Sequence, residues 1–205
     1  MPDFSIRSYK SADTSAVYEI CLKTGNSGQD ATHLFSDPLV LGHIYVGPYM
    51  EFEPQSVFIL EDDQGPCGYI MGVLDSQTYY QWMHSEWLPK IRVNYKKPTG
   101  NPDTWDETEK ITDLLFHPVS QRLLPDYPAH LHIDLLSRAQ GKGQGKLLMD
   151  RFIDYLKYNK IPGLHLELSS NNDRAFNFYR KYGIEELDRD NESIIMGYHL
   201  SSIYK

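Results

Sequence analysis

Long apolar runs are missing from this chain. No window approaches about 18 consecutive apolar residues, the length that argues for a membrane-spanning helix. The opening MPDFSIRSYKSADTS has no charged segment followed by an apolar core, so it does not read as a secretory signal. The expectation is a soluble, unsecreted protein of the cytoplasm, with the nucleus also open to it, and with no membrane partner. Positive charge is scarce as well, with 20 Lys and Arg against 28 Asp and Glu and a formal net charge of -8. That balance argues against a general affinity for nucleic acid, which favours a basic surface, whereas an acidic face suits a cationic substrate or partner. Cysteine is limited to Cys21 and Cys67. They stand in stretches that read as a helix and a strand, so buried free thiols are expected in place of a disulfide, and a reducing compartment fits. With 205 residues and a 40% hydrophobic fraction, the chain is sized for one domain over 1–205 with its own core.

What is present has mixed periodicity. FSIRSYK alternates as a short strand, and SADTSAVYEICLKTG reads as a helix, with Ser11 or Asp13 as cap, an apolar stripe at Val17, Ile20 and Cys21, and Gly25 as a stop. A second helical stretch is expected over Pro38 to Tyr49. SVFILEDD and PCGYIMGVLD, around Asp62-Asp63-Gln64-Gly65, read as an antiparallel hairpin. From Ser76 to Tyr127 clean periodicity is lost and aromatics crowd in, which suggests a partly helical insertion, since disordered linkers are poor in aromatics. AHLHIDLL is the best strand pattern of the chain, setting His130, His132 and Asp134 against Leu131, Ile133 and Leu135. A helix with Leu148, Phe152 and Leu156 on one face follows it. GLHLELS, a helix from Asn172 to Gly183, and the strands IEEL and SIIMGYHL complete a mixed α/β layout without internal repeats.

Between the best strand and its helix lies QGKGQGK, Gln140 to Lys146. Free N–H groups at a helix N-terminus favour an anion, and glycine lets a phosphate approach the backbone closely. The loop is not a Walker A motif, because Gly141 and Gly145 are one residue too close and Leu147 stands where the hydroxyl is required. Nor is it the dinucleotide fingerprint G-x-G-x-x-G, since the third glycine arrives early.

Gln140, Gly143 and Gly145 form Q-x-x-G-x-G, which resembles the pyrophosphate-binding signature of the GCN5-related N-acetyltransferase (GNAT) superfamily. NDRAFNFYRKYGI, Asn172 to Ile184, resembles that superfamily's N-x-x-A-x-x-F-Y-x-x-x-G-F segment, with Ile184 in place of the usual aromatic. The blocks PYMEFEP, SVFILEDD, GYIMG and YPAHLHIDLLSRAQGKGQGKLLM are similar to the branch that includes the acetyltransferase-like domain of O-GlcNAc hydrolases and its stand-alone microbial relatives. Some of that branch lack the glycine loop; here it is intact.

The resemblance implies a GNAT fold, with a mostly antiparallel sheet splayed near the cofactor and helices on both faces. It implies acetyl-CoA as donor and an amine acceptor, on a small molecule or a protein lysine. Gln140, Gly141, Lys142, Gly143, Gln144, Gly145 and Lys146 would hold the pyrophosphate. Leu135 and Leu136 would pair with the pantetheine arm, along which Asn172, Ala175 and Phe178 would lie, while Arg174, Arg180 or Lys181 would reach phosphate. Tyr179 matches the tyrosine that protonates the departing thiolate, a feasible role for a phenol at neutral pH. For the general base, His132 and Asp134 lead, with His130 and Glu167 as alternatives. The H-x-H pair lacks further ligand spacing, and no metal is expected. Tyr79, Tyr80, Trp82, Trp87 and Trp105 form either an acceptor wall or the insertion's own small core, the latter favoured for most of them. Glu51, Glu53 and Asp75 supply acceptor-site charge or merely a solvated face. A coenzyme A-binding interaction module and a histone-type lysine acetyltransferase are the rival readings, and the last strands could pair in a homodimer.

Overall fold

The computed structural model describes residues 3–119 and 122–200. Its strands are β1 (Ser5–Ser8), β2 (Phe58–Asp62), β3 (Gly65–Val73), β4 (Ala129–Leu135), β5 (Gly163–Ser169), β6 (Glu185–Arg189) and β7 (Ser193–His199). They form one sheet in the order β1-β2-β3-β4-β5-β7-β6. Every neighbouring pair is antiparallel except β4 and β5, which run parallel and are in register only at Ala129 with Leu164 and His130 with His165. β5 meanwhile stays paired with β7 from Gly163 to Ser169. Beyond His130 the two central strands therefore part, leaving a backbone edge of each unpaired. This is the mixed, mostly antiparallel, splayed sheet that the sequence led us to expect.

Eight α-helices cover its two faces: α1 (Thr14–Thr24), α2 (Val40–Tyr45), α3 (Gly47–Phe52), α4 (Ser76–Trp82), α5 (Leu88–Arg92), α6 (Glu107–Phe116), α7 (Gln144–Tyr158) and α8 (Asp173–Tyr182), among the described residues. Strand alternation divides the apolar side chains between two cores. Tyr69, Met71 and Val73 join Val17, Ile20 and Leu115 on one face. Ile70, Leu131 and Leu164 join Phe152, Leu156 and Tyr179 on the other. Gly72 permits close packing of α7 on β3, since a Cβ there would meet the Phe152 ring at 2.4 Å and the His130 carbonyl at 2.2 Å. Both cysteines are buried and free, as expected.

Several local expectations are corrected. Neither Ser11 nor Asp13 caps α1 with its side chain. Asp13 instead accepts bonds from Arg7 Nη1 (2.7 Å), Arg7 Nη2 (2.9 Å) and the Lys10 N–H (2.8 Å), tying the helix start to β1. The helical stretch over Pro38 to Tyr49 is two short helices broken at Val46, because Pro48 cannot donate into a continuing helix and starts a new one in its first turn. Among the described residues, the segment from Ser76 to Tyr127 builds no core of its own. Tyr79, Trp87, Leu88 and Ile91 bury into the same core as α1 to α3, joined by partly buried Tyr80 and Trp82. Trp105 lies apart, its Nε1 donating to Thr99 O at 3.1 Å.

Candidate active site

The glycine loop is held open by its own geometry. Gly141 and Gly143 have φ of 72° and 78°, a left-handed conformation that glycine adopts without the Cβ penalty. A Cβ built on either meets nothing within 4 Å, so the space beside the backbone is free for a ligand. Gly143 caps α7, and its carbonyl takes the N–H groups of Lys146 and Leu147. None of the N–H groups from Gly141 to Gly145 is spent on a backbone carbonyl among the described residues. Gln140 acts differently: its Nε2 donates to Leu135 O at 2.6 Å and to Gly28 O at 3.4 Å, bracing the loop against the end of β4 and the turn after α1.

This loop forms one end of a cavity of about 1180 Å³ that runs through the opening between β4 and β5. Leu135, Gln140, Gly141, Gly143, Gly145 and Lys146 line it, as do Asn172, Ala175, Phe178, Tyr179 and Lys181. Leu136 does not, because its N–H goes to Cys67 O at 2.8 Å. By antiparallel alternation the backbone groups of Ile133 and Leu135 then point away from β3, into the opening. Lys142 also lies elsewhere, its Nζ 5.4 Å from the Phe4 ring centroid, and Gln144 turns its amide to Lys142 O at 3.4 Å. Lys146 is tied to Asp150 at 2.6 Å. Arg174, Lys181 and Lys157 line the cavity without closing an ion pair among the described residues. Arg180 is not part of it. An acidic chain thus sets free N–H groups at the loop end of a cavity that cations also line, an arrangement that fits a polyanion such as a pyrophosphate.

Asn172 has a second duty, its Oδ1 capping α8 by accepting from Ala175 N at 3.0 Å. Phe178 packs over Gly145, where a Cβ would lie 3.3 Å from the ring. The next residue, Tyr179, is buried, and its hydroxyl makes no hydrogen bond among the described residues. Burial first, then the nearby Asp134 charge, raises its pKa, so the phenol keeps its proton at neutral pH.

His130, His132 and Asp134 share a strand face but not an environment. His130 is buried, with Nδ1 2.7 Å from Ser76 Oγ and Nε2 2.8 Å from Tyr49 Oη. Since Ser76 Oγ donates to Pro128 O at 2.6 Å, it accepts from Nδ1–H, and Nε2 accepts from Tyr49. Burial, followed by His165 and His132, drives the His130 pKa well below its ordinary value. Both nitrogens are committed, which removes His130 from the candidate bases. His132 is half-buried; its ring stacks on Tyr45 at 6.0 Å and lies 5.8 Å from the Tyr69 ring. Its Nε2 lies 3.1 Å from Asp134 Oδ2, which also accepts from Tyr69 Oη at 2.7 Å. Nδ1 of His132 has no partner among the described residues.

A second cavity, of about 480 Å³, lies beyond the same opening and shares Leu131, His132, Leu166, Glu167, Leu168 and Ser169 with the first. Tyr45, Tyr49, Tyr79 and Tyr80 wall it. Trp82, Trp87 and Trp105 do not reach it. Nor do the three acids read as acceptor-site charge. Glu51 pairs with Lys90 at 3.1 Å, Asp75 caps α4 through Thr78 N at 2.7 Å, and Glu53 is buried, taking bonds from Tyr155 Oη (3.0 Å) and Leu74 N (3.2 Å). Among the described residues no three His, Cys, Asp or Glu side chains are grouped to hold a metal ion, and no helix is long and apolar enough to cross a membrane.

Sequence reasoning passed over Tyr45 and Tyr69, and Ser27 and Gly28 at the first cavity, because each comes from a segment distant along the chain with no motif to mark it.

The sequence profile of the Acetyltransferase (GNAT) family matches residues 116–184, which carry β4, the glycine loop, α7, β5 and α8. Protein O-GlcNAcase of Rattus norvegicus and that of Mus musculus are each 29% identical over 189 residues, covering 90% of this chain but 20% of theirs. The chain thus spans about a fifth of the length of the curated relatives it matches. The crystal structure of SsHAT aligns at 33% identity with a TM-score of 0.89, covering 98% of this chain and 100% of that one. The structure of yncA from Salmonella typhimurium with its cofactor acetyl-CoA shares the fold at 14% identity, with a TM-score of 0.56 over 98% of this chain and 96% of that one. An open glycine loop, a split sheet, the family profile and a likeness to SsHAT that extends over nearly the whole chain converge on one conclusion: the chain belongs to the acetyltransferase (GNAT) family.

Proposed function

We propose that the protein is an acetyl-CoA-dependent N-acetyltransferase that acts on an amine. The observation that carries this reading is the meeting of the two cavities in the opening between β4 and β5, where His132, whose Nδ1 has no partner among the described residues, lines both. Bound acetyl-CoA would supply an acetyl group already activated as a thioester. The N–H groups from Gly141 to Gly145, with Arg174 and Lys181, would hold its pyrophosphate, and the outward backbone groups of Ile133 and the N–H of Leu135 would receive its extended arm. His132 is set to take the proton the amine loses: a carboxylate beside Nε2 favours the tautomer with the proton there and leaves the Nδ1 lone pair free. Tyr69 holds that carboxylate from below. Tyr179, protonated and unengaged, holds the proton that the leaving sulfur requires.

Calorimetric titration with acetyl-CoA, followed by thiol release in the presence of amines and histone-tail peptides, tests the reading. Tyr179→Phe should lower kcat by about 10²–10⁴-fold while leaving the acetyl-CoA Kd unchanged. Binding without turnover on any acceptor would instead favour a coenzyme A-binding interaction module, and absence of binding would defeat the donor assignment itself.

A further inference from the structure

Resting on the acetyltransferase reading above, we propose that the acceptor is a small primary amine carried on a flat apolar or aromatic body, and not a lysine of an extended peptide. At about 480 Å³ the second cavity lies within the range of roughly 300–1,000 Å³ that small-molecule sites occupy. It is a chamber walled on several sides, with α3 contributing Tyr49, α4 Tyr79 and Tyr80, the following turn Met83, and α6 Leu114.

The wall is rigid and aromatic. Tyr49 and Tyr79 stack with centroids 4.8 Å apart, and Tyr80 lies flat on His130 at 5.2 Å with planes 4° apart. His130, bonded through both nitrogens, fixes the tyrosines behind it. Ile44 and Ile195 add apolar surface. Buried Tyr49 and Tyr79 back this wall, and the more accessible Tyr80 and Tyr45 present preformed ring surface to a flat guest, with quadrupoles that attract a cation.

Charge decides the sign of the guest. Glu167 and Glu192 line the chamber and close no ion pair among the described residues, whereas the one arginine there, Arg122, is engaged by Asp188. An ammonium entering the chamber meets carboxylates and tyrosine rings, and Glu167, like His132, lines both this chamber and the donor cavity. A protein lysine would bring only a thin alkyl stem into this space and leave the aromatic wall unfilled; an arylalkylamine fills it.

The test uses the full chain with 2-phenylethylamine, n-butylamine and a lysine-bearing histone-tail peptide. Thiol release should give a kcat/KM for 2-phenylethylamine about tenfold or more above either of the others, the scale expected when an apolar body is added to a fitted pocket. Saturation-transfer NMR should show the phenyl protons in contact with the protein in the presence of coenzyme A. Both signals should weaken in Tyr80→Ala. In Glu192→Gln, an exposed position where folding is not at risk, KM for 2-phenylethylamine should rise with kcat retained. Equal rates for 2-phenylethylamine and butylamine, or preference for the peptide, would overturn the proposal. So would the absence of saturation transfer while acetyl-CoA still binds by calorimetry, which leaves the donor reading standing. Failure to bind acetyl-CoA would instead remove the donor reading and this proposal with it.

Discussion

His130 and His132 are separated by one residue and point the same way from β4, yet their surroundings assign them different work. His130 spends both nitrogens on Ser76 and Tyr49 among packed tyrosines, whereas His132 lines both cavities, keeps Nδ1 without a partner among the described residues and leans Nε2 towards Asp134. Replacing them should separate stability from turnover. His132→Ala should cut kcat by about 10²–10⁴-fold at an unchanged acetyl-CoA affinity, as loss of a general base does. His130→Ala, which leaves Ser76 and Tyr49 without their buried partner, should cost about 2–4 kcal/mol in urea unfolding. Tyr69→Phe is the subtler case. It removes only the hydroxyl that steadies Asp134, so a shift in the pH profile of kcat/KM with little change in melting temperature would identify Tyr69 as a positioning residue, whereas a loss of stability alone would not. Nothing in the H-x-H-x-D pattern distinguishes the two histidines, because their partners come from Tyr49, Ser76 and Tyr69, distant along the chain.

β4, the glycine loop and α7 form one continuous device whose parts were legible in order: alternation marks the strand, the glycines mark the turn, and the apolar stripe marks the helix. Left-handed φ at Gly143 and open space beside it give opposite weights to a substitution there. Gly143→Ala should lower stability by only about 1–2 kcal/mol, the cost of a Cβ in that conformation. It should weaken acetyl-CoA binding by about tenfold or more, equivalent to at least about 1.4 kcal/mol, by placing a methyl group where the phosphate must approach. A calorimetric Kd that stays constant in this variant would remove the loop from the donor site. The role of Leu136 was not legible, since strand pattern alone does not say which backbone edge faces β3 and which faces the opening. The tie from Leu136 N–H to Cys67 O settles that.

The whole molecule carries its buried histidines as a pH-dependent load. Burial lowers the pKa of His130 and His165, and of half-buried His43. In the unfolded chain they titrate near their ordinary value of about 6.5. Their neutral forms are therefore fully tolerated above that pH, and stability falls below it as the unfolded chain takes up protons that the native state refuses. The limiting slope is about 1.4 kcal/mol per pH unit for each histidine. Glu53 works against this slope, because burial raises its pKa and acid relieves the cost of its charge. Asp13, held low by Arg7, gives its stability back only in more acidic solution, below about pH 4. Urea unfolding between about pH 7 and pH 5.5 should show the decline, and His130→Gln should shallow it. Ligand linkage gives a complementary expectation. Acetyl-CoA at about 100 times its Kd should add about 2.7 kcal/mol, and so raise the melting temperature of a chain this size by about 5–10 °C.

Periodicity, the glycine spacing and the paired motifs were sufficient to determine the mixed sheet, the order of its main elements and the open glycine loop between β4 and α7, because each depends on residues close together in the chain. Tertiary structure alone decided which histidine is free, that the aromatic segment from Ser76 to Tyr127 joins the common core, and that Tyr45, Tyr49, Tyr79 and Tyr80 face a chamber opening onto His132. Those outcomes depend on contacts between residues far apart in sequence, where a local pattern records that a side chain is apolar or titratable but not which partner, or which cavity, the fold brings to it.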